Sequence, residues 1–205
     1  MCSSDLTLRE ALATRTFWIL SAGLFGLSML VTSLHFFQIS ILTTQGLSEA
    51  AAARIFPLSA LVMVIVIPLV GRALDRFPTR WVFIFGLAVM VVSLVSAAQV
   101  HDLPTAMIYA VAFGVNNGCT MTFFGYMWPR YFGRKHLGSI QGMGQLIGII
   151  GASLGPLPLG IAFDLFGDYR KTLMLLALYP AACAIPALFL PPPPPTSPRH
   201  SLVQR

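Results

Sequence analysis

The sequence predicts an all-α membrane protein whose six transmembrane helices form two inverted three-helix repeats. Three observations carry that prediction. Only 10% of the 205 residues are charged while 56% are hydrophobic, and mean hydropathy is +0.78; so few polar residues cannot cover a water-soluble surface. Six runs free of Asp, Glu, Lys and Arg cover 16–48, 55–71, 81–101, 103–129, 136–163 and 172–198, and each reaches the roughly 17–25 residues that a spanning helix needs. Finally, Gly71, Asp75, Phe77 and the turn-former Pro78 return as Gly160, Asp164, Phe166 and Gly167, 89 positions later in every case. An offset of that size is three membrane helices with their loops, so the chain divides into two triplets of opposite orientation.

Charge placement orients the triplets. Arg9, Arg15, Arg72, Arg76, Arg80, Arg130, Arg134, Lys135, Arg199 and Arg205 fall on one face, and Arg54, Arg170 and Lys171 on the other. The positive-inside rule puts the first group, and both termini, in the cytoplasm of a multi-pass protein of the cell's inner (plasma) membrane. The net charge of +6 therefore reports topology; a nucleic-acid surface would cluster its basic residues without this alternation. Cys2, Cys119 and Cys183 are too few and too scattered for a disulfide or metal framework.

Residues 1–6, MCSSDL, have no place in the pattern. They resemble the read-through of a sequencing adapter after a GTG start, and read as an artefactual N-terminus on a truncated frame. Residues 7–16 are an amphipathic cytoplasmic lead-in. The first span, 17–42, opens on Phe17 and Trp18 at the interface and ends before Gly46. Ser48 caps the run into the second, 55–71, which contains Pro57 and Pro68. The loop from Gly71 to Arg80 leads to the third, 81–100. A turn at 101–104 precedes the fourth, 105–128. The fifth, 137–163, carries Gly138, Gly142, Gly144, Gly148, Gly151, Gly155 and Gly160, a spacing that lets membrane helices pack backbone to backbone. The sixth, 172–190, stops at a proline stub, and 191–205 are a Pro-rich cytoplasmic tail.

Polar side chains inside these spans are costly in lipid and should face a cavity. The candidates for solute contact are His35 and Gln38 at i, i+3, Asn116 and Asn117 at mid-span, and Gln141 and Gln145 at i, i+4; each also has a plain reading as an interhelical hydrogen bond. His35 can in addition carry a proton near neutral pH. Gly71, Asp75, Arg76 and Arg80, with Gly160 and Asp164 in the second triplet, form a candidate conformational clasp: Asp75 can accept from the amino end of a neighbouring helix and pair with Arg72 or Arg80. Topology anchoring alone would need positive charge, not a matched Gly and Asp. Residues 151–155 spell GxSxG, but no strand-turn-helix context surrounds them, so the string reads as packing and no catalytic residue is assigned.

Gly71-Arg72-Ala73-Leu74-Asp75-Arg76-Phe77-Pro78-Thr79-Arg80 resembles the loop motif of the major facilitator superfamily, in which Gly, three residues, Asp and Arg or Lys link the second and third helices of each half. Pro78 stands where that motif usually has Gly. TLREALATRTFWIL, QGLSEAAA, WPRYFGRKHLGSIQG and LGPLPLGIAFDLFGDY extend the likeness over nearly all of 7–190. Together they look like the C-terminal six helices of a twelve-helix bacterial member, nearest to the monocarboxylate and oxalate/formate-type porters. The resemblance implies a secondary active transporter, not an enzyme, that moves a small organic solute by alternating access, with monocarboxylates among the candidates and no cofactor. Its implied partners are the bilayer, the solute with or without a proton, and a missing N-terminal six-helix half. Dicarboxylate members resemble one another in a basic residue within the second or fifth span, absent from 55–71 and 137–163 here, so a dianion is not the expected cargo. Two other readings fit the same chain: a complete six-helix protein acting as a dimer, and a non-transporting membrane scaffold or partner subunit.

Overall fold

A computed structural model describes residues 6–193. Apart from Leu6 and 191–193, the expected N-terminal artefact and Pro-rich tail lie outside the described residues. The described chain is helical, as the composition requires: α1 (Leu8–Leu12), α2 (Arg15–Thr44), α3 (Glu49–Ala53), α4 (Ile55–Arg76), α5 (Thr79–Ala98), α6 (Leu103–Phe132), α7 (Leu137–Leu154), α8 (Pro156–Phe166), α9 (Arg170–Leu176) and α10 (Leu178–Ala187). Side chains of the expected kind start four of these helices. Thr7 and Glu10 close a capping box on α1, Thr14 caps α2, Ser48 caps α3 and Asp102 caps α6. Bonds from Thr7 hold the Glu10 carboxyl below its ordinary value, and bonds from Thr105 do the same for Asp102.

Four stretches are long and apolar enough to cross a membrane: Arg15–Thr44, Glu49–Arg76, Thr79–Ala98 and Leu137–Phe166. They coincide with the first, second, third and fifth spans read from the sequence. The other two differ in kind. Helix α6 has 30 residues, ample length, but Asn116, Asn117, Thr120 and Thr122 dilute its middle. The region 172–190 is divided between α9 and α10, with a break at Ala177.

Three interruptions share one cause. Helix α3 ends at Ala53, α7 at Leu154 and α9 at Leu176, each four residues before a proline: Pro57, Pro158 and Pro180. A proline ring crowds the carbonyl four residues earlier and offers it no N–H, which favours a break there, although α4, α6 and α10 run on through Pro68, Pro129 and Pro186. At the second break Pro156 also withholds a donor from Ala152, whose carbonyl accepts from the Gly155 N–H instead, at 3.1 Å.

The Gly71–Arg80 segment, expected as a loop, is mostly helix. Helix α4 continues through Asp75 to Arg76, and only Phe77 (φ −111°, ψ 157°) and Pro78 (φ −56°, ψ 125°) are extended before α5 begins. Arg, Ala and Leu are strong helix formers, and the residue before a proline is pushed out of the helical region, which ends α4 where it does.

The helices are held along two glycine-lined seams. In one, α7 lies on α2: a Cβ at Gly151 would come within 2.6 Å of the Phe25 carbonyl oxygen, and one at Gly155 within 2.6 Å of that of Met29. The Ser28 hydroxyl donates to the Gly148 carbonyl at 2.8 Å along the same line. In the other, α6 lies on α4, where a Cβ at Gly114 would come within 2.6 Å of the Ser59 carbonyl and one at Gly118 within 3.2 Å of that of Met63. Both pairs of glycines, and both pairs of facing carbonyls, are four residues apart. Helix α5 packs on α6 and α10, and α10 also reaches α2. Phe17, Phe83, Phe113, Phe123 and Trp128 fill the interior between them.

Gly151→Val or Gly118→Val should therefore destabilise the bundle by about 1–3 kcal/mol, the usual cost of forcing extra atoms into a packed contact. Gly142→Ala, which meets nothing within 4 Å, should be neutral or slightly stabilising. Thermal unfolding of the purified variants in one detergent checks all three.

Candidate solute cavity and basic-end network

A cavity of about 340 Å3 opens between α2, α4 and α6. His35 of α2 and Asn117 of α6 line it, and α4 supplies Phe56, Pro57, Ser59, Ala60 and Met63. His35 Nδ1 lies 3.0 Å from the Val31 carbonyl oxygen. A carbonyl only accepts, so the proton of that bond is on Nδ1, and Nε2 of the neutral ring is left as an acceptor. The imidazole rests against Phe113, with ring centres 4.7 Å apart. Asn117 Nδ2 donates to the Phe113 carbonyl at 2.9 Å, and the Ser59 hydroxyl to that of Phe56 at 2.9 Å. Pro57 thus ends α3 and also forms part of the wall.

The other four candidates lie elsewhere. Gln38, one helical turn from His35, is fully buried, and neither end of its amide meets a hydrogen-bond partner among the described residues. Asn116 is equally buried; its Nδ2 reaches the Met90 sulfur at 3.8 Å and its Oδ1 is unpartnered. On α7, Gln141 is half-buried and Gln145 exposed. Of the GxSxG string, Gly151 and Gly155 belong to the seam, and the Ser153 hydroxyl donates back to the Ile149 carbonyl at 2.9 Å.

At the basic end the Tyr126 hydroxyl donates to Asp75 Oδ1. Arg130 Nη1 donates to that same Tyr126 oxygen at 2.9 Å, and its Nε to the buried Thr79 hydroxyl at 3.0 Å. Four side chains thus bind the end of α4 to the start of α5 and the end of α6. No ion pair joins Asp75 to Arg72 or Arg80 among the described residues; Arg80 instead lies over the Trp81 ring, 5.6 Å from its centre. Arg76 is exposed, and Gly71 borders open space. On α8 Gly160 faces Phe37, while Asp164 is exposed with no hydrogen bond among the described residues. The sequence reading missed Tyr126, Arg130 and Thr79. Spacing on α6 held the signal, since Tyr126 and Arg130 are one turn apart and share a face.

A further cavity, about 430 Å3, lies at the opposite end, where Gln45, His101, Asp168 and Arg170 meet. The sequence reading assigned nothing there.

Several apolar helices of spanning length, with an imidazole and an amide gathered into a cavity between them, define a multi-pass membrane protein. The profile of the Major Facilitator Superfamily matches residues 10–205, and the chain belongs to that superfamily of transporters. A comparison with curated proteins finds no match.

Tyr126→Phe deletes only the hydroxyl that joins Asp75 to Arg130. Because Asp75 is exposed and solvent screens the bond, the expected loss is about 1 kcal/mol, below the roughly 1.5–3 kcal/mol usual for bonds to charged groups. It should be accompanied by faster hydrogen exchange across 71–80, while Arg76→Ala should leave both readouts unchanged. Unfolding in detergent and exchange mass spectrometry measure the two effects.

Proposed function

We propose that this chain is the C-terminal six-helix half of a secondary active transporter that carries a small monocarboxylate, together with a proton, by alternating access. The observation that carries this reading is the His35 cavity. Its walls are apolar except for the imidazole, the Asn117 amide and the Ser59 hydroxyl, and among the described residues no Lys, Arg, Asp or Glu lines it. With Nδ1–H held by the Val31 carbonyl, Nε2 is the position open to a proton. A protonated His35 supplies one positive charge in a site of low dielectric, enough to balance one carboxylate and too little for two. Phe56, Pro57, Ala60 and Met63 suit the hydrocarbon part of the solute. Release of the carboxylate on the other side frees the imidazole to lose its proton there, so anion and proton move together.

The packing supports two inverted triplets. The second helix of the first triplet, α4, packs on α6, the first of the second triplet. Helix α7, second in its own triplet, packs on α2, first in the other. This exchange, with a glycine seam at each contact, is what a two-fold axis in the membrane plane would generate. In this reading α6 and the α9–α10 pair are the fourth and sixth spans, and both termini are cytoplasmic. The Asp75, Tyr126, Arg130 and Thr79 network is then a cytoplasmic clasp that holds in one conformation, with Gly160 and Asp164 its outer counterpart. Helices α4, α7 and α8 are the least covered of the long spans, and the missing six-helix half would rock against them.

The test is uptake. The protein encoded by the complete gene, reconstituted in liposomes, should accumulate short monocarboxylates when the outside is acidified. His35→Gln should remove the proton dependence while leaving the protein folded. No uptake of any monocarboxylate under any gradient would overturn the assignment. Cysteines placed at Asp75 and Asp164 should react with impermeant reagents from opposite sides, and labelling from one side alone would refute the inverted arrangement.

A further inference from the structure

The two glycine seams correspond residue by residue. Along one, Gly114 and Gly118 of α6 face Val62 and Val66 of α4; along the other, Phe25 and Met29 of α2 face Gly151 and Gly155 at the end of α7. Phe25 and Met29 stand 89 positions before Gly114 and Gly118, and Val62 and Val66 stand 89 before Gly151 and Gly155. This is the offset that separates Asp75 from Asp164. One shift therefore carries the contacts of the first seam onto those of the second, with the glycines on the other partner.

The same shift carries the network at the basic end to the opposite end of the bundle. Tyr126 maps to Phe37, Asp75 to Asp164 and Arg130 to Ile41. The half-buried Phe37 ring reaches α8, where a Cβ on Gly160 would lie 3.6 Å from its Cζ, the carbon that bears the hydroxyl in a tyrosine. Asp164 follows Gly160 by one turn on the same face of α8. The chemistry is what differs. Phe37 has nothing to donate, Ile41 has no charge, and the exposed Asp164 meets no hydrogen-bond or ion-pair partner among the described residues. Rings hold this end instead: Tyr169 lies against Phe37 and Phe163, with centres 5.8 and 4.9 Å apart, and its hydroxyl meets that of Ser40 at 2.9 Å.

We infer that Phe37 and Asp164 form a latent clasp, a contact with the frame of the Tyr126–Asp75 bond that lacks the hydroxyl needed to close it. The two ends are thereby fastened unequally, and in a carrier that opens them in turn the end opposite the basic one has one polar linkage fewer to break. The inference rests on the reading of two inverted triplets and on no particular solute.

Restoring the hydroxyl tests it. In the protein encoded by the complete gene, purified in detergent, Phe37→Tyr should slow amide hydrogen exchange across 160–167 about fivefold, the size expected of one net hydrogen bond acting on local opening. Exchange across 71–80 should stay as it is. The slowing should vanish when Phe37→Tyr is introduced beside Asp164→Ala and compared with Asp164→Ala alone, a cycle that isolates the new bond. Unchanged exchange in Phe37→Tyr, or a slowing that persists without the carboxylate, would overturn the latent clasp. Loss of folding in Phe37→Tyr would overturn it too, because the contact would then have no room at Cζ. If the exchange result fails while cysteines placed at Asp75 and Asp164 label from opposite sides, the inverted triplets stand and the clasp alone falls.

Discussion

The bundle depends on carbonyl oxygens coming close to helix surfaces that carry no side chain. In lipid there is little hydrophobic gain from bringing two apolar helices together, so association rests on close packing and weak polar contacts. Phe25 and Met29 present carbonyls to Gly151 and Gly155, and Ser59 and Met63 present theirs to Gly114 and Gly118. At such separations Cα–H groups and carbonyl dipoles attract, modestly but repeatedly. A methyl group at any of these glycines would push the helices apart. The remaining helices pack around the two pairs so formed.

Placing α4 against α6 fixes what the cavity and the network can be. Pro57, Ser59, Ala60 and Met63 come to face Asn117, and the end of α4 reaches Tyr126. The same contact therefore sets the shape of the His35 cavity at one depth and the Asp75 linkage at another. Gln38 and Asn116 stand aside from this. They are polar groups sealed inside, where an amide without partners is costly, and the described residues give no compensating contact beyond the Met90 sulfur.

Much of the fold was legible from composition and charge-free runs, because a spanning helix announces itself by length and hydropathy alone. Four stretches match that reading closely. The other two expected spans are not among them: amides and hydroxyls lower the hydropathy of α6, and Pro180 divides α9 from α10. The cavity was partly legible. Polarity in an apolar helix marked His35 and Asn117, but the same signal marked Gln38 and Asn116, since sequence spacing says which face a residue shares and not what that face meets. Asp75 was found through its recurrence at Asp164; its partner on α6 was not, because a tyrosine fifty-one residues away leaves no local trace. The segment from Gly71 to Arg76 was misread because turn-formers at either end concealed good helix formers between them.

The break between α7 and α8 falls at Gly155, and Gly155 is also a contact point of α7 on α2. The backbone stays helical there (φ −52°, ψ −49°), so what the joint lacks is not direction but the amide donors of Pro156 and Pro158. Anything larger than a hydrogen at that joint would meet the Met29 carbonyl before it met lipid, so the position is closed to ordinary substitution from the inside.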